Sequence, residues 1–594
     1  MESNYIYEPL KTYKNVLKDK HNENVNNYFK ELTKKSNVDV SLNKETIKKL
    51  RRYEKDKKNI NKAINKYMFL RIILILLSVV LVLVGYNQIA NPTFFENRKN
   101  ILIIVVEVIV IVLSILLTFL KINPHMKMLK NNVNELSDKI NKLTKEASKQ
   151  MQPLNDLFEE GIQLKLFKKT LPLLNFDKYF DSKRLDYLVE KFGLTKAVNL
   201  ERSTLYVKSG DLEGNPFYIA NDLVHQMGVK TYTGTKTISW TSYTTVNGKR
   251  VAQRRTQVLT ATVTKPYPYY NQQSYLVYGN EAAPDLIFDR TDSDAEIMNQ
   301  KQIDRHVKRT TRKLRRKQRK DTRKGGSYTT LANSEFEVLF GATNRNNEVQ
   351  FRLLFTPLAQ KQLLDLMKDK EIGYGDNFDF TKHEKINIVY PEHLNMIDLD
   401  KDSNYFKSID YEEIKMRFIN YNNEYFKAIY FAFAPILSIP LYQQQKPHEY
   451  IYKDLYDSYV SFYEHEKIVN QMGEKHFAHP ESKTRSILKT SIIKSKDNKD
   501  QIKVNAYSYK IKKRTDFVTR LGGDGRVHSI PVFWDEFIPI MRESKVDINI
   551  IEDDKELTYN EKARKFIENL KKKDSLSEKE LHKIGRFITY IYKD

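Results

Sequence analysis

This 594-residue chain contains no cysteine. Disulfides, thiolate catalysis and Cys-ligated zinc or iron–sulfur centres are therefore excluded. The common phosphate and cofactor signatures are missing as well. There is no GxxxxGK followed by Ser or Thr, and no GxGxxG that opens a helix after a strand. No GxSxG elbow is present, and His465-Glu466 lacks the second histidine of a metalloprotease helix. The nearest approach to metal-ligand spacing is His476 and His479 with Glu481 nearby, and His-x-x-His is common by chance. Residues 522–525 (Gly-Gly-Asp-Gly) offer backbone N–H groups that can cradle a phosphate beside Arg526 and His528. A plain hairpin turn accounts for the same glycines. No catalytic residue, metal or cofactor is expected, and nothing identifies an enzyme.

What the chain does have is a pair of long apolar runs, 67–86 and 101–120. Each has about the length that spans a bilayer as a helix. Nine Lys/Arg lie in 47–66 just before the first run, two in the loop 87–100, and four in 121–140 after the second. Positive charge stays on the cytoplasmic side, so both termini are expected inside and only the short loop outside. A cleavable signal peptide is not expected, because a long polar stretch precedes the first run, which begins only at Tyr67. Two ionisable residues fall within the spans. Arg71 is near enough to the cytoplasmic end to snorkel to the headgroups. Glu107 lies deeper; intramembrane carboxylates are costly and often functional, and protonation, a partner helix or outward snorkelling account for it equally. The two differ by about 13 Å in depth, so no direct ion pair is expected.

Beyond the second span, Leu129, Val133, Leu136, Ile140, Leu143 and Ala147 follow a heptad seam that Gln150 or Met151 continues, and Pro153 ends it. Ile47, Leu50, Ile60, Ile64 and Tyr67 form a weaker stripe before the first span. The economical reading is a hairpin whose arms extend inward as an antiparallel stalk, with a kink at Pro124. A parallel coiled coil between two copies is the alternative, so a homo-oligomer remains open. The expected fold class is a membrane-anchored α+β protein, with a two-helix transmembrane hairpin, a cytoplasmic coiled-coil stalk and mixed α/β cytoplasmic domains.

Expected boundaries are 1–45 for an N-terminal segment, 46–122 for the hairpin, 123–152 for the stalk and 153–300 for a helical, then β-hairpin-rich domain. The remainder divides into 301–326, 327–445 and 446–594. Residues 154–198 read as helices. After them 204–207 and 216–221 read as short strands. The stretches 236–246 and 251–264 read as a hairpin around Asn247-Gly248, whose turn favours positive φ at both positions. Residues 267–278 read as an edge strand or loop, and 428–442 as a core segment too short and proline-broken for a third span. Within 446–594, the tract 450–471 reads as a helix. Residues 486–494, 501–512, 515–521 and 527–533 read as strands. The segments 558–572 and 577–592 read as helices, the second capped by Ser575 or Ser577.

Net charge is +25, and +11 of it sits in 301–324, where thirteen Lys/Arg meet only Asp304 and Asp321. Ile303, Val307 and Leu314 share one helical face there, which predicts a basic amphipathic helix ended by Gly325-Gly326. Arg312, Lys313, Arg315, Arg316, Lys317, Arg319 and Lys320 are its candidate polyanion-binding residues. Anionic lipid, nucleic acid and an acidic protein partner are all open. The functionless alternative is a solvated helix whose charge only keeps it off other surfaces.

The block after the basic helix carries one resemblance. Thr330-Leu331 is followed by Ser334 to Phe340 (SEFEVLF) and answered by Asn347 to Pro357 (NEVQFRLLFTP). A helix over 358–367 with Leu363, Leu364 and Leu366 inward, then a strand over 385–390, complete the run. This order resembles an uncharacterised bacterial family with two membrane helices near the N-terminus and a cytoplasmic α+β domain. The resemblance covers about residues 47–443, with its motif content in 331–366. The family has no established activity and lends no catalytic residues. The chain departs from it in the long basic helix and after about residue 444. The scarcity of Trp and abundance of Lys, Asn, Ile and Tyr are similar to mollicute proteins from AT-rich genomes. The expected function is binding: a membrane-tethered scaffold or adaptor at the inner face. Alternatives are a tether for nucleic acid or ribosomes, and a transport accessory or enzyme of unrecognised type.

Overall fold

The computed structural model describes residues 5–89, 98–195, 199–246, 249–448, 456, 458–496, 498–551, 559–574 and 581–592. The chain forms a mixed α+β protein with two compact units. The smaller comprises 27–158 with 403–420, and the larger comprises 1–26, 159–402 and 421–594.

The smaller unit is helical. One helix, Val40–Ile89, runs 50 residues, about 75 Å at 1.5 Å per residue. Its partner is Arg98–Leu117, continued through a π-turn at Thr118–Ile122 into Asn123–Asn155. Both are long and apolar enough to cross a membrane. None of the apolar window of the first is buried, and only 11% of the second. That exposure separates them from the core helices of a soluble protein. Pro124 follows the π-turn and occupies the first turn of the next helix, where its missing N–H costs little. Pro153 lies inside the last turn, so the helix ends two residues later than expected.

The helices run antiparallel within one chain. Gln150 donates to Thr46 Oγ1 (3.1 Å), the rings of Tyr67 and His125 lie 4.7 Å apart, and Ser78 and Ser114 share a hydrogen bond of 2.5 Å. Leu129, Val133, Leu136, Ile140 and Leu143 are half-buried, while Ala147 and Met151 are fully buried. The expected apolar seam is therefore the covered one.

The larger unit holds two antiparallel sheets. The first contains β1 (Leu174–Phe176), β2 (Arg202–Leu212), β3 (Asn215–Val246), β4 (Lys249–Gly279), β5 (Ile287–Arg290), β6 (Phe378–His383) and β7 (Ile386–Pro391), in the order β1-β2-β3-β4-β7-β6-β5. The second contains β8 (Ile487–Lys496), β9 (Lys499–Leu521), β10 (Val527–Ile550), β11 (Leu581–Ile584) and β12 (Phe587–Ile591), in the order β11-β12-β10-β9-β8. The apolar run 428–442 sits inside this larger unit. Phe426, Ile429, Tyr430 and Phe433 are fully buried, so the run belongs to the core. Phe433 meets Phe217 edge-on at 4.8 Å, and Phe426 stacks on His21 at 4.0 Å.

Several strands outrun their expected limits. β2 pairs with β3 only as far as Val224, and β7 pairs only with 276–279 of β4. Residues 225–270 therefore leave the sheet as a two-stranded ribbon. The stretch 267–278, expected at an edge or in a loop, lies within β4. Val246 stands opposite Lys249, and the Asn247-Gly248 turn lies outside the described residues. β9 and β10 extend likewise past β8 and β12. The two ribbons pack face to face: Ile238, Leu259 and Ala261 meet Ile530 and Val532, flanked by Tyr232, Trp240, Val263 and Val518.

Three further expectations change. Residues 154–198 include the short strand β1 as well as helices Ile162–Thr170 and Ser182–Glu190. In the tract 450–471 the helix is Phe462–Met472; residues 449–455 and 457 lie outside the described residues. In place of a closing helix over 577–592 the chain forms the β11–β12 hairpin, because Phe587–Ile591 pairs with Val546–Ile550 of β10. Ser575 and Ser577 lie outside the described residues, and helix Tyr559–Asp574 matches the other expected helix.

At Gly234 the ribbons approach closely, since a Cβ there would stand 2.2 Å from the carbonyl oxygen of Pro531. Gly234→Ala is expected to cost about 1–3 kcal/mol locally. Amide exchange around residues 232–238 should then speed by roughly 5- to 150-fold; unchanged exchange would refute the packing of the ribbons. A second expectation concerns acid. Burial pushes the imidazoles of His21 and His393 down to about 4 from 6.5. The unfolded chain binds more protons between those limits, so stability is full above pH 6.5 and falls toward pH 4. Each imidazole carries on the order of 3 kcal/mol of that dependence. His393→Gln should flatten the acid limb of the thermal midpoint measured on the full chain.

Candidate polyanion-binding helix

Helix Gln300–Arg323 is rich in Lys, Arg and Gln and has neither Gly nor Pro, which suits the helix interior. Asn299 and Gln302 close a reciprocal capping box: Gln302 N donates to Asn299 Oδ1 (3.0 Å) and Asn299 N to Gln302 Oε1 (2.8 Å). At the other end Gly325, with φ at 77°, reverses the chain, and Tyr328 N donates to Asp321 Oδ2 (2.9 Å). Ile303 and Leu314 are buried and Val307 half-buried, as the spacing predicts.

All thirteen Lys/Arg of 301–324 are exposed, and none has a carboxylate within ion-pair distance among the described residues. At 100° per residue, Arg305, Arg312, Arg316, Arg319 and Arg323 form a stripe opposite Ile303 and Leu314. Lys313, Arg315 and Lys320 stand on its flanks. Lys317 is different: it donates to the carbonyl of Thr343 (2.6 Å) and lies 4.9 Å from the Tyr328 ring, so it anchors the helix. Nine Lys/Arg pairs at i,i+4 within the helix repel one another. At about 0.2–0.5 kcal/mol each, they cost roughly 2–4 kcal/mol together.

A buried network lies beside the helix, joined to it where Lys317 stands over the Tyr328 ring. Arg345, 1% exposed, donates to Glu337 Oε1 (3.0 Å) and Glu348 Oε1 (2.8 Å). Tyr328 O–H donates to Glu337 (2.8 Å), and the backbone N–H groups of Thr329 and Leu331 bind Glu348 and Glu337. These two acids are thus engaged with Arg345 and with backbone, leaving the outer cations to solvent.

The remaining sequence candidates lie elsewhere. Glu107 accepts from Gln88 Nε2 (3.2 Å), and its other oxygen lies 3.4 Å from where a Gly85 Cβ would stand. Gly85 and Arg71 stand about 21 Å apart along their helix at 1.5 Å per residue, so Arg71 and Glu107 are not brought together. In the 522–525 turn, Gly522 N donates to Arg526 O, Gly523 N to Gln257 Oε1 and Gly525 N to Gly522 O. His528 binds Asp524 (2.9 Å). These amides close a hairpin and are not free to cradle a phosphate. Glu481 pairs with Lys510 (3.1 Å), and His476 lies beside His582 at 5.1 Å. Among the described residues no group of three His, Asp or Glu is placed to hold a metal.

Sequence reasoning missed a cluster on helix Phe462–Met472, where Glu464, His465, Glu466 and Lys467 are all buried. Glu464 accepts from Phe180 N (3.1 Å) and Lys467 (2.7 Å), and His465 Nε2 lies 3.0 Å from Asp500. Glu466 accepts from Thr204 N (3.0 Å) and pairs with Lys489. Burial pushes the Glu466 carboxyl up to about 7, against the pull of Lys489. Four consecutive charged or polar residues read as a solvent face; only their tertiary partners reveal otherwise. Every one of them is partnered, so the cluster is structural. No protein-family model matches this chain, and neither the curated proteins nor the solved structures contain a match.

Arg345→Leu would strand two buried carboxylates, a loss of about 3–5 kcal/mol. Tryptic cleavage within 305–324, which needs local opening, should then accelerate at least tenfold. Unchanged cleavage would show that the network does not hold the helix.

Proposed function

We propose that this chain is a membrane-anchored scaffold whose basic helix binds anionic lipid headgroups. In this reading residues 67–86 and 101–120 cross the bilayer with both termini and everything after residue 120 on the cytoplasmic side; the length and apolarity of the two helices and the Lys/Arg count around them support it. The antiparallel arms extend the hairpin as a stalk, and the sheets supply surfaces for protein partners.

The single observation behind this reading is the outer stripe of exposed, unpaired cations on a helix that is capped, packed and anchored. Each Lys/Arg near an anionic surface contributes about 1 kcal/mol. Five to seven of them, on a chain already tethered to the bilayer, are enough to hold the helix at the headgroups. That contact also relieves the repulsion among them.

Because the chain lacks cysteine, Thr322→Cys gives a single labelling site on an exposed position. In nanodiscs with about one-third anionic lipid, a fluorophore there should be quenched by spin-labelled headgroups. Quenching should vanish at 0.5 M salt (roughly one-third of the Debye length at 0.05 M) and in a variant with Arg312, Arg315, Arg316, Arg319 and Lys320 changed to Gln. No quenching at low salt would overturn the reading.

A further inference from the structure

The β3–β4 ribbon carries a second cationic surface, distinct in chemistry from the basic helix. Residues 223–280 contain no Asp or Glu at all, against seven Lys/Arg. Its root is fixed: Ile238 and Leu259 are buried against the β9–β10 ribbon, and Gly523 N donates to Gln257 (2.7 Å). Lys236 and Lys265 are engaged there, with Ser529 O and Asp516 respectively. Beyond Gln257 the ribbon stands uncovered. Every described residue from 243 to 258 is exposed, and six paired registers, 241–246 with 249–254, project by about 20 Å.

Strand alternation places Lys249 on one face of this projection and Arg250 and Arg254 on the other, with Arg255 at its base, opposite Trp240, on the Lys249 face. None of the four has a carboxylate partner among the described residues, and Arg250 lies over the Tyr243 ring at 4.5 Å. The side chains between them are Thr, Ser, Gln and Ala, with Val251 and Tyr243 as the larger apolar groups. Such a surface is poor at entering hydrocarbon, which would require burying cations on both faces. It is well suited to phosphates on two sides at once, since Ser, Thr and Gln add hydrogen bonds to the Arg and Lys contacts.

We infer that this ribbon docks in the major groove of double-stranded DNA, its two cationic faces meeting the phosphate backbones on either side. A two-stranded ribbon fits the B-form major groove, about 12 Å wide, whereas the A-form groove of duplex RNA is too deep and narrow for it. The inference goes beyond the lipid reading and uses different residues.

The test uses the full chain in detergent with a labelled 24-bp DNA duplex and an RNA duplex of equal length. The wild-type chain should bind the DNA more tightly. In the K249Q/R250Q/R254Q/R255Q variant the dissociation constant for DNA should rise at least tenfold. The slope of log K against log salt should become shallower by about 3–4, and the preference for DNA over RNA should disappear. The basic-helix Gln variant should keep that preference, and the ribbon variant should keep headgroup quenching, so failure of one reading is distinguishable from failure of the other. Unchanged exchange at residues 232–238 would show that the ribbon variant is folded. The inference is overturned if the ribbon variant binds DNA with unaltered affinity and salt slope. It is overturned equally if DNA and RNA are bound and weakened alike, or if the four cations govern vesicle binding and not DNA binding.

Discussion

Burying a charge costs several kcal/mol unless its partners arrive with it, and helix Phe462–Met472 buries four ionisable residues in succession. Their partners come from both sheets. Glu466 takes the backbone N–H of Thr204 in β2 and the ammonium of Lys489 in β8; His465 takes Asp500 of β9. Asn470 donates to Ser203 Oγ, which in turn donates to the carbonyl of Leu488. An arrangement that shifted either sheet by one residue would strand at least one of these ions, because a one-residue slip moves every side chain to the other face. The helix therefore fixes how the two sheets are disposed, and apolar packing around Leu488, Val504 and Ile548 fills in behind it.

The ribbons depend on that constraint. A two-stranded ribbon is marginal in water by itself, and here two of them share one small core of five buried side chains. They meet only because each is rooted in a sheet whose position is already set. The contact is close enough to require Gly234 opposite Pro531, with the small Ala261 as its cross-strand partner. The β9–β10 ribbon keeps these acids occupied: Asp516 across the contact with Lys265 of β4, and Asp524 with His528, Asp535 with Lys513 and Glu536 with Arg514 within the ribbon itself.

Local signals explain what the sequence made legible. The basic helix has a capping residue, an uninterrupted run of helix formers, an apolar stripe and a terminal glycine, all between Asn299 and Gly325. It stands within one residue of its expected start. The apolar seam of helix Asn123–Asn155 is legible for the same reason: one face is covered and the other wet, so the spacing survives in the residue pattern. The ribbons were legible only where period-two alternation persists. Their roots, such as Asn221-Asp222-Leu223-Val224, are covered on both faces within a sheet, and alternation disappears with the solvent face. The C-terminal hairpin reads in sequence as a helix because its charges suit one, while its fate is decided by pairing with β10, which lies about 40 residues earlier in the chain. The buried charged helix left no signal at all, since a charge that has found a partner looks in sequence like a charge that faces water.

Uncompensated charge arises here by sequestration of acids as well as by accumulation of bases. Glu337 and Glu348 lie beneath the basic helix yet are turned inward to Arg345, and Asp321 is engaged with the backbone N–H of Tyr328. A solvated helix kept merely for solubility would gain by letting such acids pair with its surface lysines and arginines, because nine repelling i,i+4 pairs weaken it. At physiological salt a charge is screened beyond about 8 Å, so cations of this kind act only on a surface brought into contact with them. Each cationic element is held by contacts of its own: the helix by its capping box, its buried Ile303 and Leu314 and the bond from Lys317 to Thr343, and the ribbon by the core it shares with β9–β10. Cations left unpaired at a cost to local stability are what the proposed docking would draw on.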